Sequence, residues 1–191
     1  ALVNALAEEH GGTVELPCFL ASLTRPLGAT ASSSFVSAQP AAGARSPRMF
    51  LWSGALVLSV APEGLGAHLL ELGLQTEPTR SIKAEIAFPV TAPLSPEAPY
   101  DRILNQTGTT CSACHPHETP ATTAGGMKAF ESDVLRLSDF DDVDIRNVAL
   151  ESKSCDPATE PERCALLGAI FVQGNYHAQA FAREARTIYG D

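Results

Sequence analysis

Two cysteines and a histidine are the residues of this chain that point most directly to a chemistry. Cys111 and Cys114 are three positions apart, and His115 follows the second thiol directly. Thiols at this spacing can each form a thioether to a vinyl group of haem, and an imidazole is a standard axial ligand of haem iron. The C-x-x-C-H pattern therefore predicts one covalently bound haem c, with His115 as the proximal iron ligand.

In these five residues, from Cys111 to His115, the chain resembles the c-type cytochromes. The resemblance implies an exported protein that carries haem c on the two cysteines and holds the iron with the histidine. It is confined to the motif. The familiar small cytochromes c place the motif near the start of an all-helical domain, whereas here it follows a long region of strand pattern, so their fold is not expected.

The sixth iron ligand determines what such a haem does. Met127 lies on the apolar stripe of a helical pattern over 127–137, and His177 lies on the stripe of a second helical pattern over 176–189. Either side chain is a candidate sixth ligand, and two strong ligands favour electron transfer. An open sixth position would instead favour a haem-based sensor or a gas-binding domain.

The same cysteines allow an alternative in which the metal is zinc. Cys111, Cys114 and His117 form a C-x-x-C-x-x-H cluster, which needs a fourth ligand to make a structural zinc site. The chain would then be a β-rich interaction module. Haem is favoured over zinc because no second ligand pair with zinc-site spacing accompanies the cluster.

Cys155 and Cys164 flank a short acidic loop and are predicted to form a disulfide. Closing so short a loop stabilises a fold by about 2.5–3 kcal/mol in the chain-entropy description. Disulfides persist in oxidising compartments, so we expect a periplasmic or extracellular bacterial protein. The longest apolar run, 49–61, is too short to span a bilayer, and no transmembrane segment is expected.

The formal net charge is −9, from 22 acidic and 13 basic residues, without a basic cluster. This composition argues against a nucleic-acid partner and suits docking to a basic redox partner protein. The chain has no hydrolase or nucleotide-binding motif. Together with the haem motif, these features predict a single-haem cytochrome that transfers one electron at a time outside the cytoplasm and is not an enzyme.

The pattern of apolar residues predicts the elements that position the motif. A helix over 1–10 precedes about six strands between 13 and 93, which are expected at 13–20, 34–37, 49–52, 55–60, 70–75 and 82–90. Three prolines between 91 and 100 suggest a boundary. After the motif we expect a helix over 127–137, a strand over 143–150, a helix from a capping box at Thr159 to about Gln173, and a helix over 176–189.

These elements predict an α+β protein in two parts. Residues 1–95 would form an antiparallel β-sandwich or barrel, and residues 96–191 a haem-bearing segment with two or three helices. We favour packing of the two parts as one domain, in which the β-rich part is a wall of the haem pocket. The residues after the motif are too few to surround a haem alone.

Overall fold

The computed structural model describes residues 1–91, 93–123 and 125–190. In these ranges nine strands form one mixed sheet, and the helices are short. The strands are β1 (Leu27–Ser32), β2 (Arg48–Ser53), β3 (Leu56–Val60), β4 (Leu69–Glu77), β5 (Arg80–Ala87), β6 (Thr119–Thr122), β7 (Lys128–Asp133), β8 (Asp142–Val143) and β9 (Tyr176–Ala178). The α-helices are α1 (Leu2–Glu9), α2 (Leu16–Ala21), α3 (Ala98–Asp101), α4 (Ile145–Ser154) and α5 (Pro161–Leu167). A 3₁₀ turn spans Thr110–Ala113, and a π-helical turn, Gly168–Val172, follows α5.

The sheet has the order β6-β7-β5-β4-β3-β2-β1-β8, and β9 also pairs with β1. All neighbours are antiparallel except β1 and β9, which are parallel. The sheet is not closed, since its end strands β6 and β8 do not pair with each other. The α+β class is confirmed, but the predicted sandwich or barrel is not, because helices rather than a second sheet cover the apolar face.

One face of the sheet packs against the helices and forms the core. Its central strands contribute fully buried leucines, among them Leu51, Leu58 and Leu70. Leu20 of α2 and Leu167 of α5 are also fully buried in the same cluster. Because strand side chains alternate between faces, this arrangement sends every second residue of β1 to β5 to the opposite face.

Strands from both predicted parts of the chain belong to this sheet. The antiparallel strands β1 to β5 lie before residue 95. From the later part of the chain, β7 pairs with β5, while both β8 and β9 pair with β1. The later strands therefore extend both sides of the earlier ones. This pairing holds the motif region against the sheet.

Several sequence predictions agree with the structure. The first helix is present as α1, and the expected strands at 49–52, 55–60, 70–75 and 82–90 correspond to β2, β3, β4 and β5. The helix after the capping box is also present, as α5 and the π-helical turn that follows it. Its N-cap residue is Glu160, however, rather than the predicted Thr159.

Four predicted elements have the opposite secondary structure, and the reasons are physical. The expected helix over 127–137 is strand β7, which satisfies the backbone groups along β5. The expected helix over 176–189 begins as strand β9, paired with β1.

The expected strand over 13–20 contains helix α2, because Pro17 suits a first helical turn and cannot donate to a strand ladder. The expected strand over 143–150 contains helix α4, which Asp144 caps by accepting a hydrogen bond from the Arg146 N–H at 2.9 Å. The expected strand over 34–37 is irregular, and β1 was not predicted.

Candidate functional site

The sheet face that points away from the helices is lined mainly by polar side chains. Arg48 on β2, Glu71 on β4 and Lys83 on β5 alternate along their strands with core residues. Lys83 lies directly opposite Gly73 in the β4–β5 pairing. Gly73 therefore adds no side chain beside Lys83. We call this side of the sheet the polar face.

Three segments from the second half of the chain surround the polar face and leave a cleft of about 230 Å³ above it. These segments are the motif turn at 110–115, the stretch 134–138, and the region of Phe181 and Ile188. Phe181 is fixed on the sheet by ring contacts to Phe50 and Trp52, with centroid distances of 5.2 and 4.7 Å. The cleft therefore combines a polar floor with partly apolar walls.

The motif forms a single helical turn at the edge of this cleft. The backbone N–H groups of Cys114 and His115 both donate to the carbonyl of Cys111, at 3.1 and 2.9 Å. Residues three apart in such a turn lie on the same side, so both thiols point in one general direction. Cys111 is partly buried, Cys114 is exposed, and neither is in a disulfide. Both line the cleft, as does His115.

The imidazole of His115 is held in one orientation. Its Nδ1–H donates to the backbone carbonyl of Asp133 at 2.8 Å. Burial, together with the nearby positive charge of Lys83, lowers the pKa of His115 to about 3. The ring is therefore neutral near pH 7, and the proton on Nδ1 leaves Nε2 with a free lone pair. This is the state in which an imidazole binds a metal.

Asp133, the last residue of β7, also holds the chain that follows the motif. Its N–H donates to the carbonyl of Pro116 at 3.1 Å, and its carboxylate accepts from His117 Nδ1 at 2.8 Å and Arg80 Nη1 at 2.9 Å. Burial alone would raise the pKa of Asp133, but the hydrogen bonds from His117 and Arg80 hold it below its usual value. The sequence interpretation missed this residue because it placed Asp133 inside a helix.

Glu118 holds the other end of the motif turn. Its carboxylate accepts hydrogen bonds from the Thr109 N–H, at 2.9 Å, and from the Thr109 hydroxyl. A Cβ on Gly108 would lie 1.9 Å from Glu118 Oε1, so only glycine leaves room for this arrangement. Contacts with Asp133 and Glu118 thus hold both ends of the motif turn.

The pKa values of Lys83 and Cys111 are also shifted. Burial lowers the pKa of Lys83 to about 8, and its Nζ donates to Ser81 Oγ at 2.6 Å. Burial, assisted by the negative charge of Glu71, raises the pKa of the Cys111 thiol. Thiols that act as nucleophiles have lowered pKa values. The shift at Cys111 therefore gives no support to a catalytic thiol.

The two residues predicted as sixth ligands lie elsewhere. Met127 precedes β7, and its methyl group packs near Gly125. His177 is exposed on β9, opposite Gly28 of β1. Neither side chain lines the cleft that contains His115.

The disulfide prediction is confirmed: Cys155 and Cys164 are bonded, with their Cα atoms 5.5 Å apart. A metal-binding group would bring together three or more His, Cys, Asp or Glu side chains whose ligand atoms all lie within 4.8 Å of one another. Cys155, Glu160 and Cys164 form the single group of this kind among the described residues. Two of these are the disulfide sulfurs, which are not available as thiolates. Cys111, Cys114 and His117 do not form such a group, so the geometry does not favour the zinc alternative.

No protein-family model, no curated protein and no solved structure matches this chain. Within the described ranges, no helix has both the length and the apolar character required to cross a membrane.

Proposed function

We propose that the protein is a single-haem c-type cytochrome that transfers one electron at a time outside the cytoplasm. The observation that carries the proposal is the hydrogen bond from His115 Nδ1–H to the Asp133 carbonyl, next to two unpaired thiols. A metal-bound histidine almost always donates its other ring N–H to a carbonyl or carboxylate, because this bond fixes the tautomer and the ring orientation.

The side chains of the cleft match the parts of such a site. Cys111 and Cys114 would hold the porphyrin through thioethers, and His115 would bind the iron through Nε2. Bound haem supplies a reversible one-electron couple. The apolar walls, which include Val134, Phe181 and Ile188, would exclude water from the buried side of the ring. No substrate site is needed for this function.

Export and partner choice are parts of the same proposal. The Cys155–Cys164 disulfide suits an oxidising compartment, such as the periplasm or the cell exterior. The formal net charge of −9 suits a basic redox partner, with association that slows as ionic strength rises. Cys114 is exposed, so the proposed attachment point lies near the surface, where a partner could approach.

The test is to export the chain in a bacterial host that has cytochrome-maturation machinery. We expect a coloured protein whose intact mass exceeds that of the polypeptide by one haem, with a c-type absorption spectrum after reduction. The double substitution Cys111→Ser with Cys114→Ser should abolish attachment. Cys18→Ser is the matched control, since this third free thiol lies outside the cleft.

A colourless wild-type product with the bare polypeptide mass would overturn the proposal, provided that a known cytochrome matures in the same cells. Elemental analysis showing zinc without iron would establish the zinc-dependent interaction module instead. A large spectral shift when carbon monoxide is added to the reduced protein would reassign it from electron carrier to gas-binding domain.

A further inference from the structure

We infer that Lys83 provides the sixth ligand of the haem iron, opposite His115. This inference rests on the proposed function, because it concerns the same cleft. Among the described residues that line the cleft, His115 is the single histidine and no methionine is present. Lys83 is the single amine in that set. If a side chain of the cleft completes the iron coordination, Lys83 is the strongest nitrogen donor available.

Other polar groups of the cleft are poorer ligands. Arg48 has no free lone pair, because a guanidinium stays protonated in proteins. Glu71, Glu85 and Asp141 offer carboxylates, which as hard oxygen donors suit calcium or magnesium better than haem iron. In addition, Glu71 is bound to Arg48 at 2.5 Å, and Glu85 is paired with Arg102. Lys83 Nζ is engaged by the neutral hydroxyl of Ser81, a partner that it can exchange for a metal.

The strand pairing relates Lys83 to the residue that holds the His115 ring. The ring of His115 is bonded to the Asp133 carbonyl, and Asp133 pairs directly with Arg80 on β5. Lys83 is three residues further along β5, roughly 10 Å at the usual strand rise. Lys83 and His115 both line the cleft, one from the sheet and the other from the motif turn.

The same positions separate Met127 and His177 from His115. Met127 precedes the start of β7, six residues and roughly 20 Å along the strand from Asp133. His177 is on β9, five strand spacings from β5, which is roughly 24 Å across the sheet. Neither residue lines the cleft, and His177 is exposed.

Coordination by Lys83 requires only a proton transfer and a ligand bond. The ammonium group would release one proton to solvent, and the nitrogen lone pair would then be available to the metal. No oxidant or reductant takes part. Gly73, the neighbour of Lys83 on β4, adds no side chain beside it.

The experiment uses the matured, haem-containing protein and four variants. We expect ferric wild type to be low-spin, with electron paramagnetic resonance and near-infrared magnetic circular dichroism typical of histidine–amine coordination. Lys83→Ala and Lys83→Arg should both become high-spin and bind carbon monoxide after reduction. Lys83→Met should return to a low-spin state with the methionine charge-transfer band and a higher reduction potential. Lys128→Ala, which changes an exposed lysine outside the cleft, should behave as wild type.

The outcomes separate this inference from the proposed function. A wild type without haem defeats both. Haem attachment with an unchanged low-spin spectrum in Lys83→Arg leaves the cytochrome in place and rejects Lys83 as the ligand. A high-spin wild type that binds carbon monoxide also rejects it. Lys83→Arg retains the positive charge, so its spectrum reports ligation even if Lys83→Ala fails to fold.

Discussion

Replacing Lys83 by methionine should stabilise the haem-free protein at neutral pH. Burial lowers the pKa of Lys83 from 10.5 to about 8 in the folded chain, so folding disfavours the protonated amine. The unfolded chain binds this proton as the pH falls through about 10.5, whereas the folded chain binds it near pH 8. The folded state therefore loses stability between these two values on acidification, and the loss is constant at lower pH.

The size of the effect follows from the shift. Each pKa unit corresponds to about 1.4 kcal/mol, so the shift from 10.5 to about 8 is worth roughly 3.5 kcal/mol as an upper limit. Part of the Lys83 side chain keeps contact with solvent, and the substitution also removes the bond to Ser81. We therefore expect Lys83→Met to gain about 1–3 kcal/mol in the free energy of unfolding at pH 7.

The assay is urea unfolding followed by circular dichroism, at pH values from 7 to about 10.5. The gain should be full at pH 7 and should shrink steadily above the folded pKa of about 8. Lys153→Met, at an exposed position in the last turn of α4, is the control and should show no gain. Equal stabilities of wild type and Lys83→Met throughout this range would refute the reasoning. A confirmed gain would mean that the chain keeps a destabilising amine in its cleft, as functional sites often do.

Three further predictions concern the haem-free protein. As the pH falls from 6.5 towards 4.5, wild type should lose up to about 1.4 kcal/mol of unfolding free energy per pH unit, because folded His115 has a pKa of about 3 and resists protonation. Urea unfolding measures this slope, and the His115→Gln variant should lack it. Gly108→Ala should lower the free energy of unfolding by about 1–3 kcal/mol, because the added methyl group displaces Glu118. The double variant with Glu118→Ala should be only slightly less stable than Gly108→Ala alone, and additive losses would contradict this account. Reduction of Cys155–Cys164 should cost about 2.5–3 kcal/mol, measurable as a lower urea midpoint, and a midpoint insensitive to reductant would count against a structural role.

Features that depend on neighbours in the chain could be inferred before the fold was known. The motif occupies five consecutive residues, and the disulfide closes a loop with a sequence separation of 9. The β4–β5 hairpin joins two runs of alternating apolar residues, and its strands pair locally. In each case spacing along the chain fixes spacing in space, so residue type and interval are sufficient.

Strand or helix could not be decided in the same way where a segment is short and ambiguous. Met127, Phe130, Val134 and Leu137 have helical spacing, yet this region forms β7 because β5 offers backbone groups to pair with. The 176–178 stretch likewise pairs with β1, which is far away in sequence. Long-range backbone pairing outweighed local periodicity at both sites.

The surroundings of the motif also came from folding rather than from local pattern. Lys83 alternates with Ile82 and Ala84, a pattern that predicts a buried face and a solvated one. Segments from the second half of the chain then cover the solvated face and turn it into the floor of a cleft. Asp133 meets His115 for the same reason, since β7 ends beside the motif. The sequence identifies the side chains that can act as donors. Their hydrogen-bond partners depend on contacts between segments that are distant in the chain, and local residue spacing does not determine such contacts.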